Sequence, residues 1–337
     1  LNQNIKPDGF ESNNIVIENT KEESNKQLAE NAKAHRGESV IYYGIPGSGK
    51  SYYIKNKILN GVPEENFERV TFYPEYTYYD FVGQKLPKDD GTGLQFEAGP
   101  FTRILEKALK NRQEHYYLII EEMNRGNAQA IFGDIFQLLD RDIDGNSVYA
   151  TTNYVVSQYL KSKEINLKEN KVIIPSNITI IATINTSDQN VFVMDTAFKR
   201  RFDWRYISTK PVKNEQGNYL NNADIVLDKE HTEKWIDLYG VLNKFISSSD
   251  KLGLGEDKQI GQFFIEFDDN DNKEKIQNKL LHYLWFDVQE SCYKSDIKLF
   301  DDSITSFSDL YDKYEEGEKI FSNEFFNCIE LWKKNSL

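Results

Sequence analysis

Cysteine, methionine and histidine are scarce in this chain, at two, two and four residues among 337. Cys292 and Cys328 lie far apart and lack metal-ligand spacing, so they read as buried free thiols of a reducing compartment. The histidines at 35, 115, 231 and 282 are too scattered for a nucleophilic triad or a zinc site. Long apolar runs are missing as well. None approaches the roughly 20 residues that span a bilayer, so a cytoplasmic protein with no membrane partner is expected. Positive charge is in deficit: 41 Lys and Arg against 54 Asp and Glu leave a net charge of −13. That argues against this chain by itself coating nucleic acid. Neither an initiator Met nor a signal pattern opens the sequence, which leads us to expect a piece of a longer protein. Aromatic residues, in contrast, are plentiful: 20 Tyr and 21 Phe supply core material for a length that suits two compact domains.

The strongest local signal is Gly44-Ile45-Pro46-Gly47-Ser48-Gly49-Lys50-Ser51, which fits the phosphate-binding loop G-x-x-x-x-G-K-[ST]. Its glycines let successive backbone N–H groups face a polyphosphate. Lys50 has the reach for the β- and γ-phosphates, and the Ser51 hydroxyl is placed to ligate Mg²⁺. Residues 39–43 read as the strand before the loop and 50–60 as the helix after it, whose N-terminal dipole favours the same anion. The chain is expected to bind a nucleoside triphosphate.

The remainder divides by periodicity. Residues 1–36 are polar and are expected to form a linker, with one helix near 21–34. Strands are expected at 69–73, 116–120, 178–184 and 202–207, alternating with helices at 102–111, 128–139 and 194–198. Residues 75–99 and 140–177 are read as connections. Over 37–208 this predicts an α/β fold with a mainly parallel sheet. From about 209 to 337 the pattern turns helical, at 230–247, 273–290 and 323–334, and predicts a mostly helical second domain.

Other candidates for chemistry sit at strand ends. Glu121-Glu122 closes the run 116–120, and carboxylates at that end of a parallel strand border the nucleotide crevice. Glu121 is placed to support Mg²⁺, and Glu122 to orient or deprotonate the attacking water. Glu121 stands where most P-loop proteins carry Asp. Asn185 ends the next strand and can bridge that water and the γ-phosphate. Arg200 and Arg201 follow a short helix, where one of them could enter a neighbouring subunit's site. Asp140-x-Asp142-x-Asp144-Gly145 copies half a calcium loop, but Thr151 occupies its twelfth position, so a helix end and turn is expected.

Together these stretches resemble the AAA+ superfamily and, more narrowly, the McrB family of restriction-system motor subunits. The resemblance is carried by 71–83, by Gly99-Pro100-Phe101 and by Ile120-Glu121-Glu122-Met123-Asn124-Arg125-Gly126-Asn127. It is carried further by Ala182-Thr183-Ile184-Asn185-Thr186-Ser187-Asp188, by 195–202 and by Gln259-Ile260-Gly261-Gln262-Phe263-Phe264. It implies an AAA+ core with a helical lid, a homo-oligomeric and usually hexameric ring, and a McrC-like endonuclease partner. It also implies an N-terminal DNA-reading domain that this chain does not carry. Asn185 and Asp188 preserve positions that the family associates with GTP, whereas Gln189-Asn190 replaces its usual Arg-Ser, so GTP and ATP both stay open with GTP favoured. Gln262 stands where the family often has His. The other reading of the same motifs is a stand-alone, dynein-related AAA+ ATPase that remodels protein complexes.

Overall fold

Five apolar runs assemble into one parallel sheet in the computed structural model, which describes residues 36–187, 192–268, 272–292 and 297–336. The strands are β1 (Ser39–Gly44), β2 (Phe67–Thr71), β3 (Tyr116–Glu121), β4 (Ile178–Asn185) and β5 (Asp203–Tyr206). Their order is β2-β3-β4-β1-β5, with every pairing parallel. β4 lies at the centre, and every residue of it but Asn185 is buried. This is why 178–184 reads as an unbroken apolar run: helices cover both faces, so both alternating sets of side chains must be apolar. Ile180, Ala182 and Ile184 join the larger core with Phe72, Phe101 and Phe132, while Ile181 packs on the other face with Val40, Ile54 and Ile119.

Register brings the carboxyl ends of the strands to one edge. Gly44 pairs with Asn185 and Thr71 with Glu121. β1 sits beside β4 although the chain leaves it toward β2, so the strand order reverses beside the loop that follows β1. Open α/β sheets bind ligands at such a point.

Several expectations need correction. β2 ends at Thr71, two residues before the expected end, because Phe72 leaves the strand to become a fully buried side chain. Residues 75–99 are not an unstructured connection. They hold a helical turn (Tyr78–Phe81) fixed by a capping box between Thr77 and Asp80, and then a hairpin pairing Gly83–Pro87 with Leu94–Ala98. Much of that hairpin is exposed, which left no apolar alternation to read. Thr77→Ala is expected to cost about 1 kcal/mol of stability, seen as a lower denaturant midpoint at unchanged slope. The helix expected at 128–139 breaks at Gly133, where φ is +49° and the Tyr78 ring leaves no room for a side chain. It continues as a tighter turn, Gly133–Leu139. The connection 140–177 holds a helix, Tyr154–Ser162, capped by Asn153. Asp142 accepts from the Asp144 and Asn146 amides, so the calcium-like stretch is a turn.

Beyond β5 a short hairpin (Asp224–Val226 with Thr232–Lys234) precedes the helix Trp235–Ser247. Helical segments follow from Lys273 to Ser291, then Phe307–Glu315 and Asn323–Ser336. Phe307–Glu315 escaped the reading because it buries only Leu310 and Tyr314. These elements share a second core around Trp235, Phe245, Phe321 and Phe325. Cys292 and Cys328 are only half-buried there, not the fully buried thiols expected. The expected helix at 21–34 lies outside the described residues, and no described helix is long and apolar enough to cross a membrane.

Candidate nucleotide site

The loop after β1 turns on two glycines in left-handed conformations, Gly47 at φ +71° and Gly49 at φ +95°. Both positions would strain any other residue. Helix begins at Lys50 as an α-turn (Lys50–Tyr53) that widens into a π-turn (Ile54–Ile58). The Lys50 side chain is buried, and its ammonium donates to the carbonyls of Gly44 (2.9 Å) and Ile45 (3.0 Å). The Ser48 hydroxyl is buried with no partner among the described residues, and Ser51 is exposed at the helix start.

The loop does not stand alone. Gly261 donates its amide to the Pro46 carbonyl (2.9 Å), and Phe263 donates to that of Gly47 (2.8 Å). These bonds occupy loop carbonyls, and within the loop the Ser48 amide donates to the Ile45 carbonyl (3.2 Å). The approach is so close that a Cβ on Gly261 would lie 2.3 Å from the Gly47 oxygen. Asn243 clamps Ile260 through both its amide and its carbonyl, while Asn221 and the Trp235 indole donate to the Gln262 carbonyl. The Gln262 side chain is buried and accepts from the Val212 amide (2.6 Å), so it braces the turn instead of facing the loop. Gly261→Ala is expected to push the turn off the loop at a cost of about 1–3 kcal/mol and to weaken nucleotide binding in a fluorescent-analogue titration. Unchanged affinity would make the contact dispensable.

At the ends of β3 and β4 a small network holds both carboxylates. The Thr183 hydroxyl donates to Glu121 (2.6 Å) and accepts from the Glu122 amide (3.1 Å). Arg69 forms an ion pair with the other Glu121 oxygen. Glu122 sits at φ +54°, a strained conformation for a residue with a side chain. Its carboxylate receives the Asn185 amide on both oxygens (2.8 and 3.0 Å) and the Arg125 guanidinium on one (3.1 Å). One cavity of about 720 Å³ is lined by Gly47, Lys50, Ser51, Glu121, Glu122 and Asn185, together with Arg69, Thr183 and Phe263. Hydroxyl and carboxylate oxygens at one end of it form a hard donor set that suits Mg²⁺ shared with phosphates.

The arginines lie elsewhere. Arg201 is tied to Asp140 (2.9 Å) and the Ala197 carbonyl (2.8 Å), and its guanidinium lies 4.0 Å from the centre of the Phe136 ring. Arg200 is exposed, and its guanidinium has no hydrogen bond or ion pair among the described residues. Both line a second and slightly larger cavity, about 760 Å³, at the opposite edge of the sheet with Arg36, Arg141 and Arg205. Arg141 is deeply buried there; burial pushes its pKa down to about 10, and four backbone carbonyls hold its guanidinium. Size alone would favour this cavity, but the phosphate-loop and carboxylate chemistry belongs to the other. Asp188 lies outside the described residues.

Sequence reasoning missed Arg69, Thr183 and Arg125. Thr183 was readable as the hydroxyl two residues before Asn185 at the carboxyl end of an apolar strand. Arg69 and Arg125 had no local signal, since cross-strand register and a turn after Glu122 create their contacts.

A parallel sheet in this strand order, with a phosphate loop after β1, paired carboxylates ending β3 and a polar amide ending β4, defines an AAA+ P-loop NTPase. Residues 39–202 accordingly match the model of the AAA domain (dynein-related subfamily). The chain is 35% identical over 316 residues to the type II restriction enzyme BsuMI component YdiS of Bacillus subtilis (strain 168), covering 84% of this chain and 87% of that protein. It is 26% identical over 229 residues to the type IV methyl-directed restriction enzyme EcoKMcrB subunit of Escherichia coli (strain K12), covering 67% of this chain and 47% of that subunit. The aligned region is therefore about half of the E. coli subunit. The chain belongs to the McrB-like AAA+ family.

Proposed function

We propose that this chain is a Mg²⁺-dependent nucleoside triphosphatase that powers a restriction system, as a subunit of a homo-oligomeric, hexameric ring. The observation that carries the reading is the single cavity shared by Lys50, Ser51, Glu121, Glu122 and Asn185. Lys50 exchanges the carbonyls of Gly44 and Ile45 for the β- and γ-phosphates, while Gly44, Pro46, Gly47, Ser48 and Gly49 shape the cradle around them. Ser51 and Glu121 would hold Mg²⁺, which would supply positive charge to the phosphates. Glu122 takes the proton from the attacking water. Asn185 places that water against the γ-phosphate, and Asp188 is assigned to nucleotide binding from the sequence pattern alone.

Arg200 serves the site of the neighbouring subunit. β1 and β5 run parallel in register, so Arg200 precedes β5 at the edge where β1 begins, while the phosphate loop follows the end of β1. At about 3.3 Å per residue the six residues of β1 separate the two by roughly 20 Å, too far for service within one chain. Arg201, pinned to Asp140, supports the helix end from which Arg200 projects. Residues 37–208 form the nucleotide-binding domain and 209–337 the lid.

Both relatives are restriction components by description, which supports a McrC-like endonuclease as partner and DNA contact through a domain beyond this sequence. GTP is favoured over ATP as substrate. Turnover of each nucleotide should be measured on the purified chain, with and without its co-encoded nuclease and with Mg²⁺ chelated. Hydrolysis should vanish on chelation and rise with the partner. Hydrolysis that persists without divalent metal would overturn the mechanism.

A further inference from the structure

The nucleotide cavity is lined by two chemically different sets of residues. Gly47, Gly49, Lys50, Ser51 and the two glutamates suit phosphates and metal. Tyr52, Lys55, Asn56, Phe263 and Glu266 line the same cavity, and none of these is needed for phosphate chemistry. Tyr52 and Phe263 stack at 5.0 Å with their planes 14° apart, and the Phe263 ring packs against Gly49 of the loop. An aromatic pair set directly beside a phosphate loop suits the base of the bound nucleotide.

Polar groups around the pair carry the selection. Glu266 follows Phe263 on the same lid turn and is exposed, and its carboxylate has no hydrogen bond or ion pair among the described residues. The nearby Lys275 ammonium donates to the Glu266 backbone carbonyl and the Asp268 carboxylate, not to the Glu266 side chain. Lys55 is exposed and likewise unpaired among the described residues, and Asn56 spends its Nδ2 on the Tyr52 carbonyl (3.0 Å). The cavity thus offers a carboxylate and an ammonium beside an aromatic face. Guanine presents two adjacent donors, N1–H and the N2 amino group, which a carboxylate accepts side by side, and an O6 acceptor that suits an ammonium. Adenine sets a bare N1 lone pair next to its single amino donor, so one carboxylate oxygen would face a lone pair.

We propose that Glu266, with Lys55 lining the same cavity, is the specificity-determining residue of the site and selects guanine over adenine from the lid. This rests on the nucleotide-binding reading above. It moves base choice away from the loop after Asn185 and onto the segment whose backbone clasps Pro46 and Gly47. Base identity and lid position are thereby coupled.

Competition against a fluorescent GTP analogue tests the proposal on the whole chain, using GTP, ITP and ATP as competitors. ITP keeps N1–H and O6 but lacks the N2 amino group. Wild type should bind in the order GTP, ITP, ATP, with GTP ahead of ATP by about tenfold or more. Glu266→Ala should lose most of that gap and make GTP and ITP equal, with ATP affinity the same or higher and the thermal midpoint held. Glu266→Asp should restore part of the gap. A GTP-to-ATP ratio that stays unchanged in Glu266→Ala, or a wild type that prefers ATP, would overturn the assignment while leaving the NTPase reading intact. A wild type that binds none of the three would overturn both.

Discussion

Glu122→Gln will bind nucleoside triphosphate close to wild-type affinity and hydrolyse it at least about a hundredfold more slowly. The substitution is nearly isosteric, and the amide oxygen can still accept from Asn185. On the proposed mechanism what is lost is the basic oxygen that would take the water's proton. Affinity should survive because the loop and Lys50 would still bind the phosphates, and Ser51 and Glu121 would still hold the metal. The same change also removes the ion pair from Arg125, so any lost stability would appear in the melting midpoint and not in turnover. Single-turnover hydrolysis beside a binding titration separates the two quantities. A variant that hydrolyses at the wild-type rate would remove Glu122 from the proton transfer.

Arg200→Ala is the second large effect. Transition-state charge on a transferring phosphoryl group is stabilised by an arginine finger by about 10³–10⁵ in rate, so turnover should fall by a factor in that range while binding holds. Arg201→Ala should behave differently. It loses the Asp140 pair, the Ala197 carbonyl and the Phe136 ring, and since its side chain is 11% exposed the cost should be about 1–3 kcal/mol of stability. The two neighbours in sequence are thus distinguished by which measurement moves: rate for Arg200, melting for Arg201.

Much of the core was legible because its physics is local. A strand covered on both faces must be apolar throughout, and 116–120 and 178–184 were read on that ground to within a residue of their observed ends. The phosphate loop was legible because few other residues tolerate the conformations of Gly47 and Gly49. Features that depend on distant partners stayed hidden. Nothing near Gly133 points to the Tyr78 ring that packs against it, and nothing near Arg69 points to Glu121. The exposed hairpin at 83–98 had no buried face to impose a period on its residues. In the site, the candidate residues Glu121, Glu122 and Asn185 lie at strand ends and could be placed by motif. The contacts that hold them come from the fold, through strand register for Thr183 and through the turn after Glu122 for Arg125.

The central claim is that one chain supplies half of a catalytic site and its neighbour the other half. Glu122→Gln and Arg200→Ala subunits, each nearly inactive alone, should regain hydrolysis when mixed. Some interfaces of a mixed ring then pair the intact Glu122 of one subunit with the intact Arg200 of the next. Turnover measured across mixing ratios should rise from near zero at either end to a maximum between them. If mixed assemblies form and turnover stays at the level of the parents throughout, the shared-site account is wrong.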